Sequence, residues 1–192
     1  MDQLMDISLY IKSRPNIVLL GDDFVGKTSL IYRYINEETS GKCETLRGAD
    51  LFTKELTIND ILFSLKIWEW GHEGLFDTST SSYRKINCCI FVFDVTYRKS
   101  FESLNFWRDK FFLRAEKNPN EFPVALVGTK IDLENEREVS KQEAEDWCKS
   151  FSIPYFECSA KDDINVQDVF EAMTAKLAMK CIPKEIRIRN NK

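Results

Sequence analysis

Eight contiguous residues, Gly21-Asp22-Asp23-Phe24-Val25-Gly26-Lys27-Thr28, fit the pattern G-x-x-x-x-G-K-[ST]. A loop of this kind turns successive backbone N–H groups onto a phosphate, and the following helix adds the positive end of its dipole. Gly21 and Gly26 allow close approach, Lys27 neutralises phosphate charge, and the Thr28 hydroxyl can ligate Mg²⁺. The flanks agree with the motif. Asn16-Ile17-Val18-Leu19-Leu20 is a short apolar run that reads as a buried strand entering the loop. Ser29-Leu30-Ile31-Tyr32-Arg33-Tyr34-Ile35 has the apolar spacing of a helix leaving it. The local architecture is therefore strand, phosphate loop, helix, and the ligand is a nucleoside triphosphate.

A chain of 192 residues holds one domain with a substantial core, and 43% hydrophobic with 30% charged residues is an ordinary globular balance. The formal net charge of −4 speaks against nucleic acid as a partner. The six cysteines are scattered without metal-ligand or disulfide-framework spacing, which predicts reduced thiols in a cytoplasmic setting. No stretch is long enough to span a membrane.

Apolar patterning alternates strand and helix, predicting an α/β fold: a six-stranded, mostly parallel sheet with helices on both faces. Residues 36–48 read as a loop. Runs at 51–58 and 61–68 read as strands joined by a turn at Asn59-Asp60. Further strands are expected at 88–94, 122–127 and 154–158. Helices are expected over 101–115 with Ser100 as N-cap, after the capping box Ser140-Lys141-Gln142-Glu143, and over 166–180. The predicted division is an extension (1–14), a nucleotide-binding domain (15–181) and a basic tail (182–192).

The phosphate loop alone serves adenine and guanine nucleotides alike. Thr129-Lys130-Ile131-Asp132, directly after a buried strand, resembles the [NT]-K-x-D guanine motif of the small GTPases. The Asp132 carboxylate can accept from N1 and N2 of guanine, while the Lys130 stem lies along the base. Ser159-Ala160-Lys161 resembles the S-A-K motif, whose backbone N–H meets the guanine O6. A polar site leaves its own groups unpaired against the wrong base, so discrimination is steep. With these three motifs in order, the chain is similar over about residues 15–180 to the Rab GTPases of the Ras superfamily. Rab-like stretches include Arg47 to Phe52, Leu65 to Trp68, Ser82-Tyr83-Arg84 and Phe91 to Thr96. Cys88-Cys89, Trp107-Arg108-Asp109 and Lys130 to Asn135 are most similar to the late-endosomal branch.

The resemblance implies GTP and GDP as ligands with Mg²⁺, residues 21 to 29 including Ser29 around the phosphates, and Thr28 on the metal. It also implies protein effectors, exchange factors and activating proteins as partners, and a peripheral place on endosomal or vesicle membranes. The switch positions depart from the family. Leu46 stands where a Thr usually reaches Mg²⁺ and the γ-phosphate, and Thr45 replaces it only if the loop shifts. Trp68-Glu69-Trp70-Gly71-His72-Glu73 replaces W-D-T-A-G-Q-E. Glu69 is then a longer metal helper, and His72, aligned through a gap, takes the place of the water-orienting glutamine. A solvated loop histidine is the alternative. Trp70 either anchors a partner or folds inward. Asp23 either crowds the γ-phosphate or points to solvent. Thr39 replaces an aromatic that flanks the base, and Phe24 adds bulk without an evident role.

These departures predict slow hydrolysis, with His72 and Thr45 as the candidate catalytic residues. Two other readings stay open: a pseudo-GTPase scaffold that uses nucleotide structurally, and an adenine-specific phosphate-loop enzyme. No cysteine stands at the extreme C-terminus and residue 2 is Asp, so neither prenylation nor N-myristoylation is expected on this sequence. Either the protein lacks a lipid or more sequence follows. Lys176, Lys180, Lys184, Arg187, Arg189 and Lys192 oppose only Glu185, so the tail is either a solvated linker or a weak contact for anionic lipid.

Overall fold

Four apolar residues in a row, Ile17 to Leu20, need cover on both sides of a strand, and the sheet provides it. The computed structural model describes residues 14–36, 42–46, 49–58, 61–70 and 80–181. Its strands are β1 (Asn16–Leu20), β2 (Lys42–Leu46), β3 (Ala49–Ile58), β4 (Ile61–Trp70), β5 (Cys88–Asp94), β6 (Val124–Thr129) and β7 (Tyr155–Glu157). Its α-helices are α1 (Lys27–Asn36), α2 (Thr80–Arg84), α3 (Arg98–Glu102), α4 (Leu104–Ala115), α5 (Lys141–Phe151) and α6 (Val166–Cys181), with a 3-10 segment over Ile131–Glu136.

The sheet order is β2-β3-β4-β1-β5-β6-β7. β1 pairs parallel with β4 and β5, and β5-β6 and β6-β7 are also parallel, while β2-β3 and β3-β4 are antiparallel. All six expected strands form. The count of six is corrected to seven by Lys42–Leu46, which falls inside the stretch read as loop. Polar Lys42, Glu44 and Thr45 hide this strand from an apolar-pattern reading, because an edge strand needs little burial. The β3-β4 register pairs Ile58 with Ile61; the turn read at Asn59-Asp60 lies outside the described residues.

Strand periodicity sends alternate side chains to opposite faces. Ile17 and Leu19 enter one core with Ile31 and Ile35 of α1 and Val169, Phe170 and Met173 of α6. Val18 and Leu20 enter a second core with Phe91, Phe93, Tyr83, Trp107 and Phe111. Each such fully buried side chain contributes roughly 1.5–3 kcal/mol, so two full cores hold the sheet rigid behind its loops.

Two helix ends differ from expectation. The helix after β5 begins at Arg98, and Ser100 is buried within its first turn rather than capping it. The Ser100 hydroxyl donates to the Tyr97 carbonyl at 2.7 Å and accepts from the Asp94 N–H at 3.0 Å, which ties the helix start back to the end of β5. Ser140 caps α5 as read, its Oγ accepting from the Glu143 N–H at 3.2 Å. Cys89, Cys148 and Cys158 are buried outside any disulfide. Among the described residues no helix is long and apolar enough to cross a membrane.

Candidate functional site

β1, β4, β5 and β6 run parallel, so the loops after their carboxyl ends gather at one edge of the sheet, the usual ligand position in such folds. The phosphate loop leaves β1 there. A Cβ on Gly21 would lie 2.1 Å from the Val92 carbonyl oxygen, so no side chain fits. Gly26 adopts φ +94, a conformation reserved largely for glycine. Phe24 shares the left-handed region at φ 65 while carrying a bulky ring that is 93% exposed.

Lys27 is 4% exposed, and its ammonium donates to the carbonyls of Gly21 at 3.0 Å and Asp22 at 2.7 Å. Desolvation lowers its pKa, opposed by the charges of Glu69, Asp23 and Asp22. Asp23 is exposed, and its charge acts on both Lys27 and Glu69. Asp22 accepts at 2.7 Å from the indole N–H of Trp107 on α4. The Thr129 hydroxyl lies within hydrogen-bond reach of the Val25 and Phe93 carbonyls, fastening the loop to the end of β6. Thr28 and Ser29 stay exposed on the first turn of α1.

A second corner lies between α1 and β4. The Thr28 hydroxyl donates to Glu69 Oε1 at 2.7 Å, while Glu69 Oε2 is buried without a partner. Desolvation raises the Glu69 pKa, the Thr28 bond and Lys27 lower it, and the charges of Asp50 and Asp23 add to the rise. An orphaned buried carboxylate oxygen beside a hydroxyl suits a hard divalent cation. Among the described residues no cluster of three His, Cys, Asp or Glu can hold a metal. Thr28 and Glu69 are the described residues that would hold such a cation, with phosphate and water as further ligands, as Mg²⁺ commonly takes.

The third corner carries the base motifs. Lys130, at φ 62, places its ammonium 2.6 Å from Asp94 Oδ2. The other oxygen of Asp94 accepts from the N–H and hydroxyl of Thr96. Asp132 Oδ1 accepts from the Ser159 hydroxyl at 2.7 Å, and its Oδ2 lies 3.9 Å from the Lys161 ammonium. Arg33 of α1 reaches across, its Nε donating to the Ala160 carbonyl at 2.7 Å and its Nη2 to the Lys161 carbonyl at 3.1 Å.

Residues 21 to 29, Thr129, Lys130, Asp132, Ser159, Ala160, Lys161 and Glu69 thus share one edge of the sheet. Thr45 is not brought to Thr28. It pairs with Asp50 in the β2-β3 hairpin, and Asp50 pairs with Glu69, so Thr45 is two strands away from the metal corner, about 10 Å at usual strand spacing. Leu46 lies in the same strand opposite Ala49. His72, Gly71 and Thr39 lie outside the described residues. Trp70 resolves inward: it is 1% exposed and meets Tyr83 edge-on at 4.6 Å between ring centroids. Trp68 is half-buried, and its indole N–H donates to Asn16 Oδ1 at 3.0 Å.

Sequence reading missed three contributors: Arg33, Asp94 and Trp107. Asp94 and Trp107 stood inside stretches noted for their similarity to a family, but nothing local announced a role. Arg33 stood on a helix already assigned, with partners 127 and 128 residues away.

Comparison with known proteins agrees with this geometry. A family model described as the Ras family matches residues 16–179. The Ras-related protein Rab-7a of Dictyostelium discoideum is 42% identical over 160 residues, covering 82% of this chain and 79% of the relative. The Ras-related protein Rab7 of Cenchrus ciliaris is 42% identical over 174 residues, covering 88% and 84%. Rab7 of Drosophila melanogaster is 41% identical over 165 residues, covering 84% and 79%.

Proposed function

The chain belongs to the Ras family as a divergent Rab GTPase similar to the late-endosomal branch, and on that premise we propose how its own residues serve the switch. It binds GTP and GDP with Mg²⁺, hydrolyses GTP, and works with the regulators and effectors of endosomal membrane traffic. Neither the site nor the relatives favour a purely structural use of nucleotide.

The observation that carries the reading is the convergence of three corners on one sheet edge. Lys27 leaves the Gly21 and Asp22 carbonyls for phosphate oxygens, and the N–H groups of the loop and of the first turn of α1 surround the same charge. Thr28 and Glu69 hold Mg²⁺, whose charge offsets that of the phosphates during phosphoryl transfer. Asp132, fixed by the Ser159 hydroxyl, accepts from guanine N1 and N2. Lys130, tethered by Asp94, spreads its stem along the base.

Intrinsic hydrolysis is slow for reasons specific to this chain. Leu46 offers no ligand atom, Thr45 is held at the sheet edge, and the Asp23 carboxylate adds negative charge where the γ-phosphate carries its own. Activating partners supply what the switches lack, and the protein acts peripherally at endosomal membranes from their cytoplasmic side. The six basic groups between Lys176 and Lys192 add a weak contact to anionic lipid.

Competition against a fluorescent GDP tests the nucleotide assignment. A thousandfold excess of ATP is expected to leave it bound, and Asp132→Ala is expected to weaken GDP at least about 100-fold. Displacement by ATP at the same concentrations as GTP, or an unchanged Asp132→Ala variant, would overturn it.

A further inference from the structure

Arg33 lies in the last turn of α1, the helix whose first residues are Lys27 and Thr28. Its guanidinium fork spans two successive carbonyls of the loop after β7, Ala160 at 2.7 Å and Lys161 at 3.1 Å. A planar fork on two adjacent carbonyls fixes two peptide planes together, which a single donor does not. In a trans peptide the C=O and N–H point in opposite directions. Arg33 therefore turns the Lys161 and Asp162 N–H groups away from α1. The Asp162 N–H is accepted by the Ser159 hydroxyl at 3.0 Å, and that hydroxyl donates to Asp132 at 2.7 Å. Among the described residues the N–H groups of Ala160 and Lys161 meet no protein acceptor.

We propose that Arg33 is a positioning residue for base recognition: by clamping the Ala160 carbonyl it aims the Lys161 N–H at the 6-oxo oxygen of guanine, while its bond to the Lys161 carbonyl turns the Asp162 N–H onto the Ser159 hydroxyl. This rests on the reading that Asp132 and residues 159 to 161 hold the guanine base. A charged donor on a carbonyl also polarises its peptide, which strengthens the N–H on the far side as a donor. Position 33 is five residues beyond Thr28, a rise of about 7.5 Å along one rigid helix. The same helix then presents Lys27 and Thr28 to the phosphates and braces the loop that reads the base. Asp132 reads the other edge of guanine, N1 and N2, and is braced by the Ser159 hydroxyl, which Arg33 reaches only through the Asp162 N–H. Arg33 thus acts directly on the 6-oxo contact and only at second hand on Asp132.

The experiment measures dissociation constants for GDP, 6-thio-GDP and IDP by competition with fluorescent GDP, in the wild type, Arg33→Ala, Arg33→Gln and Arg33→Lys. In 6-thio-GDP a weak acceptor replaces the 6-oxo oxygen, and in IDP only the 2-amino group is lost. The wild type is expected to prefer GDP over 6-thio-GDP about tenfold, a preference that collapses toward unity in Arg33→Ala and Arg33→Gln and partly returns in Arg33→Lys. The GDP to IDP ratio is expected to change less than the GDP to 6-thio-GDP ratio in every variant. Equal weakening of all three nucleotides would show a merely structural brace and overturn the proposal, as would an unchanged 6-thio-GDP ratio. Arg33→Gln keeps one donor to the loop and serves if the alanine variant does not fold. A wild type with no preference for GDP over ATP would instead overturn the guanine assignment itself, a result visible before any variant is made.

Discussion

Phe24 holds a left-handed backbone at φ 65 with its ring almost wholly in solvent, so it bears conformational strain without the packing that usually compensates for it. Glycine at this position relieves roughly 1–2 kcal/mol of steric cost, less its own loss of chain entropy on folding. Phe24→Gly is therefore expected to raise the stability of the nucleotide-free protein by about 1 kcal/mol, read as a higher urea midpoint at unchanged slope. A lower midpoint would mean the ring makes a stabilising contact in solution. At this scale the site was legible wherever its chemistry is contiguous: Gly21, Lys27 and Thr28 announce themselves because eight adjacent residues must act together. Arg33 and Trp107 were not legible, because each matters only through a partner brought close by the fold, 127 and 85 residues distant. Asp132 lay between these cases, since its motif was readable but its brace, Ser159, was assigned to a different contact.

At the scale of elements, the end of β4 shows how two readings of one residue separate. Trp68 and Trp70 both stand on β4 with even spacing, and an exposed pair would have made an interface anchor. Instead Trp70 fills the core beside Tyr83, while Trp68 is half-buried and hydrogen-bonded to Asn16 at the start of β1. Trp70→Ala is expected to cost about 3–5 kcal/mol by emptying that space, measured by urea denaturation. A loss below about 1 kcal/mol would restore the outward reading. The sequence could not decide this, because alternation along β4 places both tryptophans on the same face and says nothing of what covers it. The same limit explains β2. Its residues carry no apolar alternation, so only the pairing with β3 reveals a strand where a loop was read.

For the whole molecule, the parallel centre of the sheet sets the location of the site and the two cores keep its loops in register. That much followed from alternating apolar runs. What did not follow was the state of the switch segments, since whether residues 42–46 zip onto β3 depends on edge pairing rather than on any local preference. The result is a nucleotide site assembled on its phosphate and base sides, with the position that should carry the γ-phosphate sensor drawn along the sheet edge. The proposed combination of firm binding with slow cleavage follows from that asymmetry. Single-turnover hydrolysis tests it most directly: the protein is loaded with GTP, the reaction is started with Mg²⁺, and GDP is followed by chromatography over hours. First-order GDP formation at about 10⁻⁵ to 10⁻⁴ s⁻¹ is expected, slower than an unassisted small GTPase yet measurable over hours. Turnover near about 1 s⁻¹ without a partner, or GTP that persists uncleaved, would contradict it.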